Sequence, residues 1–304
     1  MSRSVALGAD PAARHALLVA PSFPSFRLLD MGRGRKLEAY GDYIVDRPEE
    51  QAMGSQRLTR AEWEAADAVF DGDAEDKAGR WRLRTEPFES FAMRWNDLGF
   101  LGRFTAFRHM GVFPEQAAHW TWIEQRLKAI KGRRPRVLNL FAYTGVASLV
   151  AARAGADVTH VDASKKAIGW ARENQIEAGL GDAPIRWIMD DAVKFVQREA
   201  RRNSRYDMVL LDPPKFGRGP NGETWNLFDD LPAHLADCIA CLSEDADSLV
   251  LTAYAIRASF LALDDLARPL LEARGGHVQS GELAIPISDG RLLSTSLFTR
   301  WSRT

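Results

Sequence analysis

From Arg136 onward the apolar positions fall into short continuous runs separated by longer amphipathic ones. Segments 137–140, 158–161, 185–188, 208–211 and 249–252 are apolar runs of strand length, as expected where both faces of a sheet are covered. Between them, segments 147–154, 167–178, 192–200 and 232–242 predict helices, and a further one is predicted over 260–273. Strands that alternate with helices imply a parallel sheet layered by helices on both faces. Segments 277–283 and 293–301 have no helix between them and predict an antiparallel hairpin at one edge. Ahead of the first strand, Trp120, Ile123, Leu127 and Ile130 share one helical face. Pro114 suits the first turn of that helix, and the polar stretch 131–135 ends it.

The first hundred residues carry a different pattern. Gly32, Gly34 and Gly41 punctuate short segments at 25–29 and 43–45, and 80–84 alternates polar with apolar residues as a half-buried strand does. Segments 88–95 and 100–107 read similarly, and one helix is predicted over 59–69. The expected organisation is a small β-rich N-terminal domain, 1–112, followed by an α/β domain, 113–304. The second domain is expected to carry a mostly parallel, seven-stranded sheet ending in the antiparallel hairpin.

Composition adds bounds. With 304 residues, 46% of them hydrophobic, the chain can bury a core without disulfides or metals. A net charge of −1 neither supports nor excludes a nucleic-acid partner. Cys238 and Cys241 have C-x-x-C spacing, but they fall on the predicted helix 232–242 and no second pair exists, so they read as core residues rather than a metal site. Low cysteine usage, no signal-like apolar core within residues 1–25 and no membrane-length apolar run lead to the expectation of a cytoplasmic protein without membrane contact.

Ligands of open parallel sheets lie beyond the carboxyl ends of the strands, so the chemistry should follow each strand. The first is followed by Asn139-Leu140-Phe141-Ala142-Tyr143-Thr144-Gly145, a small-residue turn without the G-x-G-x-x-G of a dinucleotide site; no P-loop occurs either. Asp162, 17 residues after Gly145, ends the second strand and is placed either to bind ribose hydroxyls or to cap a helix. Asp190 and Asp191 end the third, where a carboxylate can accept from an adenine amino group; Asp191 is preferred, though it can equally cap the next helix. Asp212-Pro213-Pro214-Lys215-Phe216 follows the fourth. Its prolines stiffen an extended backbone and leave their carbonyls free to accept from a substrate, and Phe216 offers a face on which a base can stack.

Taken in order, these four strings resemble the successive motifs of class I S-adenosylmethionine-dependent methyltransferases, a Rossmann-like fold. They are most similar to the family that methylates bases of large-subunit ribosomal RNA, over about residues 111 to 300. The resemblance implies S-adenosylmethionine as cofactor and structured RNA as partner. It implies that Tyr143, Thr144 and Gly145 border its methionine part, that Asp162 meets the ribose and that Asp191 lies near adenine, with Asn139, Phe141, Ala163, Ser164, Asp190 and Ala192 as further cofactor-binding residues. Gln116, in the segment before the sheet, would help close that pocket, and Asp212, Pro213, Pro214 and Phe216 would face the target group. Some relatives form oligomers, so a homo-oligomer is compatible. Members that make 5-methylcytosine carry a cysteine in the loop after the fourth strand or just after the fifth, because C5 is not nucleophilic by itself. Neither Asp212-Pro213-Pro214-Lys215 nor Thr252-Ala253-Tyr254-Ala255 has one, which points to transfer onto a base nitrogen. Two other readings share the same cofactor pocket: a methyltransferase for a small molecule or protein side chain, and an inactive cofactor-binding protein associated with RNA.

Basic residues divide by position. Lys128, Lys131, Arg133, Arg134 and Arg136, and then Arg198, Arg201, Arg202 and Arg205, precede strands and belong at the amino end of the sheet, as solvated loops or an auxiliary RNA footprint. Lys215, Arg218, Arg257 and Arg291 follow strands and are the expected substrate contacts, with 217–222 as a flexible lid.

Overall fold

The computed structural model describes residues 14–72, 79–84, 89–254 and 256–303. In chain order its N-terminal elements are β1 (His15–Val19), β2 (Phe26–Gly32), β3 (Arg35–Tyr40), β4 (Tyr43–Pro48), α1 (Arg60–Glu64), β5 (Ala68–Asp71), β6 (Arg80–Leu83), β7 (Phe91–Trp95) and β8 (Leu98–Gly102). After a short 3-10 turn, Pro114–Gln116, come α2 (Ala117–Ala129), β9 (Arg136–Leu140), α3 (Val146–Arg153), β10 (Asp157–Asp162), α4 (Lys165–Glu177), β11 (Ile185–Met189), α5 (Ala192–Arg201) and β12 (Met208–Leu211). The remainder is β13 (Phe216–Arg218), β14 (Thr224–Asn226), α6 (Leu227–Ala240), β15 (Ser248–Tyr254), α7 (Phe260–Glu272), β16 (His277–Pro286) and β17 (Leu292–Ser302).

The large sheet has the order β1-β16-β17-β15-β12-β9-β10-β11. Four of its pairings, among β15, β12, β9, β10 and β11, are parallel, and β17 runs antiparallel between β15 and β16. Strand order reverses between β9 and β12, so the crevice expected of a doubly wound sheet opens there. All four residues of β12 are buried because helices cover both faces. The helices start where the sequence supplies acceptors: Ser164 caps α4 and Asp191 caps α5.

The sheet has eight strands rather than the expected seven. The added strand, β1, comes from the N-terminal segment and pairs in parallel with β16, so the first described strand belongs to the large sheet. The helix expected over 59–69 also changes. It begins at Thr59, whose side chain and that of Glu62 form a reciprocal capping box, but it lasts only through Glu64. The rest becomes β5, since Asp67 accepts from the backbone of Ile44 at 2.7 Å and Ala68 and Val69 then pair in parallel with β4. Of the strand expected over 88–95, residue 88 lies outside the described residues.

Sheet β2-β3-β4-β5-β6 buries charge as well as apolar surface. Lys36, Glu38, Arg47 and Glu49 are all nearly inaccessible. Arg47 pairs with Glu38 at 2.5 Å and Lys36 with Glu49 at 3.0 Å. Arg47 also donates to the carbonyl of Arg108 (3.0 Å), and Arg108 donates to that of Pro48 (3.2 Å). These bonds fasten the N-terminal sheet to the segment that leads into α2 and the large sheet.

Candidate active site

The turn between β9 and α3 is built from alternating left-handed residues, Phe141 (φ 53°), Tyr143 (φ 50°) and Gly145 (φ 83°). Two of these are not glycine, and such strain persists only where the surroundings over-determine it. Asp162, at the tip of β10, supplies one restraint. Its Oδ2 accepts from the Tyr143 amide (2.9 Å) and its Oδ1 from the Ser164 amide (2.8 Å). Thr144 supplies another by donating to the carbonyl of Gly111, and Asn174 donates to the Thr144 carbonyl at 2.9 Å. Gly111 itself (φ 91°) packs so closely on Trp170 that a Cβ there would lie 2.2 Å from the ring.

Beneath the turn, Asn139 donates to Ser148 at 2.9 Å, and Ser148 meets Nδ1 of His160 at 3.0 Å. Burial holds His160 neutral, its pKa pushed down to about 3. The expected cofactor residue Asn139 therefore spends its amide inside the protein. Ser148 and His160 went unread in the sequence because a helical serine and a strand histidine carry no motif.

Across the crevice, Gln116 Nε2 donates to Asp212 Oδ2 at 3.0 Å. Burial first, and then the neighbouring Glu115, raise the Asp212 pKa against the lowering effect of the Gln116 bond, to about 7 in all. Glu115 is itself buried and accepts from Ser296 at 3.1 Å. Gly111, Gln116, Tyr143, Thr144, Asp212 and Thr252 are among the residues lining a cavity of about 70 Å³ between these elements. Aromatic rings border it: Phe113 lies 5.0 Å from Tyr254 and 5.9 Å from Tyr143. Arg108 stands over Tyr254 at 5.6 Å. Phe113 belongs to the Phe113-Pro114-Glu115-Gln116 segment that the family resemblance implied would help close the pocket, whereas Tyr254 was visible only as a residue after the fifth strand.

Three expectations change at the strand tips. Pro214 does not keep its carbonyl free, because Trp225 Nε1 donates to it at 2.7 Å. The 217–222 lid is not a loose loop. It is the tip of the β13–β14 hairpin, tied down by the buried Trp225 and by a Lys194–Glu223 ion pair of 2.6 Å. Asp191 caps α5 by accepting from Lys194 N at 2.9 Å, while Asp190 pairs with Arg198, so both carboxylates carry structural bonds at the place read as the adenine edge. Ala163 and Ala192 flank these turns, and Pro213 is buried beside Asp212.

Met189 and Phe216 keep large apolar faces exposed at the strand tips, 50% and 64% respectively. Lys215 lies 5.2 Å from the Phe216 ring, and Arg218 is exposed on β13. Arg257 is exposed near Glu50, at 3.6 Å. Arg291, expected at the substrate, instead binds Asp30 at 2.5 Å, Asp289 at 2.8 Å and the Met31 carbonyl at 2.9 Å, which ties the β16–β17 turn to β2. Among the described residues no cluster of metal-ligating side chains occurs.

The crevice thus offers a carboxylate beside a glycine-bearing turn, apolar faces at the strand tips, and a half-buried carboxylate facing aromatic rings. That set suits a ligand with a diol, a flat heterocycle and a cationic centre. A family model for S-adenosylmethionine-dependent methyltransferases matches residues 56–228. The chain belongs to this family. S-adenosylmethionine is its cofactor, and the donor set just described fits it.

A crystal structure of an S-adenosylmethionine-dependent methyltransferase from Agrobacterium tumefaciens is 54% identical, covers 95% of this chain and 94% of its own, and superposes with a TM-score of 0.91. A methyltransferase from Streptococcus mutans, 16% identical over 92% of this chain and 76% of its own, shares the fold with a TM-score of 0.67. Among curated proteins, the ribosomal RNA large subunit methyltransferase K/L of Shewanella frigidimarina is 34% identical over 127 residues, 41% of this chain. That of Pseudoalteromonas atlantica is 33% identical over 149 residues, 48% of this chain. The matched part is only 18% and 20% of those two proteins' lengths. No helix among the described residues is long and apolar enough to cross a membrane.

Proposed function

We propose that this methyltransferase acts in the cytoplasm on a base nitrogen of large-subunit ribosomal RNA without a cysteine nucleophile. The observation that carries the reading is the tip of β12. A half-buried Asp212, restrained by Gln116, stands beside the stiff Pro213-Pro214 segment and the exposed ring of Phe216. Both cysteines of the chain are buried on or next to α6, away from this tip. Burial pushes the Cys241 thiol up to about 11 and the Cys238 thiol well above its ordinary range, so neither supplies a thiolate near neutral pH. The partial likeness to large-subunit ribosomal RNA methyltransferases supports RNA as the substrate class.

In this reading the β9–α3 turn, with Tyr143, Thr144 and Gly145, borders the methionine part of the cofactor and Gln116 helps close it in. Asp162, with Ala163 and Ser164, receives the ribose, and Met189 together with the Asp190–Ala192 turn receives adenine. When bound, S-adenosylmethionine supplies an electrophilic methyl group on a sulfonium. Phe113, Tyr143 and Tyr254 present ring faces, which favour a cation near them. Phe216 stacks the target base, and Lys215 and Arg218 contact flanking phosphates. Asp212 accepts a hydrogen bond from an exocyclic N–H and takes the proton which that nitrogen loses on methylation; a ring nitrogen has no such proton to lose. Alignment of nucleophile and methyl group provides most of the rate. The N-terminal sheet roofs the crevice and limits which bases enter.

The test is methylation of large-subunit ribosomal RNA, prepared from cells lacking the gene, with radiolabelled S-adenosylmethionine and with Asp212→Ala protein as control. Label in RNA from the wild type alone, in a nucleoside methylated on nitrogen, is the expected result. Cofactor binding without any label in RNA would overturn the RNA reading in favour of a small-molecule or protein substrate.

A further inference from the structure

The amino end of the large sheet carries arginines of two kinds. Arg126 binds Asp247 at 2.7 Å, Arg134 binds Asp157 at 3.1 Å, and Arg133 binds Asp207 at 2.5 Å and Asp245 at 3.3 Å. These are internal neutralisations and leave little net field. Arg205, before β12, Arg274, between α7 and β16, and Arg303, after β17, are different. Register brings them to one place, because Ser302 is paired with both Ser248 and His277 while Met208 is paired with Ser248.

Among the described residues none of these three forms an ion pair; each spends donors on backbone carbonyls. Arg205 donates to Ser204 at 3.1 Å, Arg303 to Ala246 at 2.8 Å and to Glu244, and Arg274 to Ser243. Arg274 and Arg303 lie 5.9 and 6.0 Å from the centre of the buried Trp301 ring, and both bond to carbonyls of the 243–246 turn. The Nε of Arg274 is buried without a hydrogen-bond acceptor. Burial first, and then the charges of Arg303 and Arg205, lower the Arg274 pKa; Glu244 is the acidic group that opposes them. Glu244 acts on Arg274 and Asp245 on Arg303, but neither comes within ion-pair distance, so three guanidiniums gather here around one turn without a direct salt bridge of their own among the described residues.

We propose that Arg205, Arg274 and Arg303 form a phosphate-binding site for the RNA backbone, at the end of the sheet opposite the methyl-transfer crevice. The proposal rests on the RNA reading above. Guanidiniums match phosphate geometry with paired donors, and a contact remote from the crevice fixes register on a folded RNA without reading its sequence. It also accounts for the second basic run of the sequence only in part. Of Arg198, Arg201, Arg202 and Arg205, Arg198 is consumed by Asp190 and Arg202 lies against Glu199.

The experiment is filter binding of a large-subunit ribosomal RNA transcript to the full chain across a series of KCl concentrations. The proteins compared are the wild type, Arg205→Gln, the Arg205→Gln/Arg303→Gln double variant, and Arg134→Gln. Each phosphate contact adds about 0.7 to the slope of log affinity against log salt for single-stranded nucleic acid. The double variant should lose one to two units of slope and bind about tenfold more weakly near 0.1 M salt, and Arg205→Gln should lose about half as much. Arg134→Gln, at the same end but neutralised by Asp157, should match the wild type. Arg205→Gln keeps the test sound if loss of the carbonyl bonds of Arg303 unfolds the double variant, because among the described residues Arg205 hydrogen-bonds only to Ser204. Wild-type slope in Arg205→Gln, with RNA still bound, would overturn this site and leave the RNA reading standing. No RNA binding by the wild type would overturn both.

Discussion

Gln116 and Asp212 meet across 3.0 Å, although 96 residues separate them, and their bond joins the segment entering the large sheet to the tip of β12. The Gln116 bond lowers the Asp212 pKa, but burial and the nearby Glu115 outweigh it and leave the carboxyl at about 7 instead of its ordinary 3.8. A carboxyl poised there can hold or release a proton within the physiological range.

Activity on an amine substrate should therefore rise with pH through about 7 as Asp212 ionises. Asp212→Asn should lower kcat by about a hundredfold or more while leaving cofactor affinity within about twofold. Stability moves the opposite way. The folded-state pKa is raised, so Asp212 contributes most below its unfolded pKa, and that contribution is lost as pH rises through about 7. Asp212→Asn should then be more stable than the wild type at pH 8, by on the order of 2 kcal/mol, and indistinguishable from it near pH 4. Urea denaturation at the two pH values checks this; equal stability at pH 8 would show that the buried carboxylate carries no such cost.

Asp162→Ala should weaken binding of S-adenosylhomocysteine by about ten- to a hundredfold, because it removes a charge-assisted acceptor worth about 1.5–3 kcal/mol. The same change strands the Tyr143 and Ser164 amides, which the carboxylate now satisfies at 2.9 and 2.8 Å. Asp162→Asn retains one acceptor oxygen and should fall between. Titration calorimetry on the three proteins measures the effect, and affinity unchanged in Asp162→Ala would remove this residue from the cofactor site.

Much of the large sheet was legible because its strands are apolar runs and its helices have periodic faces. Met208–Leu211 falls where the hydrophobic run alone placed it. The eighth strand, His15–Val19, was not legible: five residues in a mixed segment acquire strand character only by pairing with β16, more than 260 residues away in sequence. The site followed the same division. Asp162 and Asp212 stand at strand tips, as strand-following carboxylates should. The free carbonyl of Pro214, the loose lid and the substrate-facing Arg291 failed because each depended on a distant partner: Trp225 for the first two, Asp30 for the last. Local pattern reveals which element a residue ends; it does not reveal which side chain arrives from elsewhere to bond it.

The Trp225–Pro214 bond leads to a third prediction. Trp225 is buried in the hairpin that follows the Asp212-Pro213-Pro214 string, and its Nε1 holds the Pro214 carbonyl at 2.7 Å. Trp225→Phe keeps most of the apolar packing and removes the donor. The Pro214 segment should loosen, lowering kcat by about tenfold, since small misplacements near the chemistry cost one to two orders of magnitude. Cofactor affinity should stay within about twofold, because phenylalanine keeps an aromatic ring against Phe141 of the β9–α3 turn, 5.0 Å from Trp225 in the wild type. A parallel loss of cofactor binding would mean instead that the hairpin supports the whole crevice.

The buried network of the N-terminal sheet supports a fourth. Glu38 is inaccessible and receives Arg47 at 2.5 Å and Lys36 at 3.6 Å. Burial works against its ionisation, but the Arg47 and Lys36 charges prevail and hold its carboxyl below the ordinary 4.5. With the folded pKa depressed, its contribution is present above the unfolded value and is lost as pH falls through the folded one. Glu38→Ala leaves two buried cations without their shared partner and should destabilise the protein by about 3–5 kcal/mol at pH 7. The penalty should shrink on acidification, where wild-type Glu38 also loses its charge. Because Arg47 and Arg108 bond across to each other's segments, and Arg108 stands over Tyr254 at the crevice, the roof should detach before the large sheet unfolds. Hydrogen exchange would then show β2–β5 opening ahead of β9–β12 in the variant. A single cooperative opening of all strands, or a loss below about 1 kcal/mol, would show that apolar packing rather than this charge network fixes the roof.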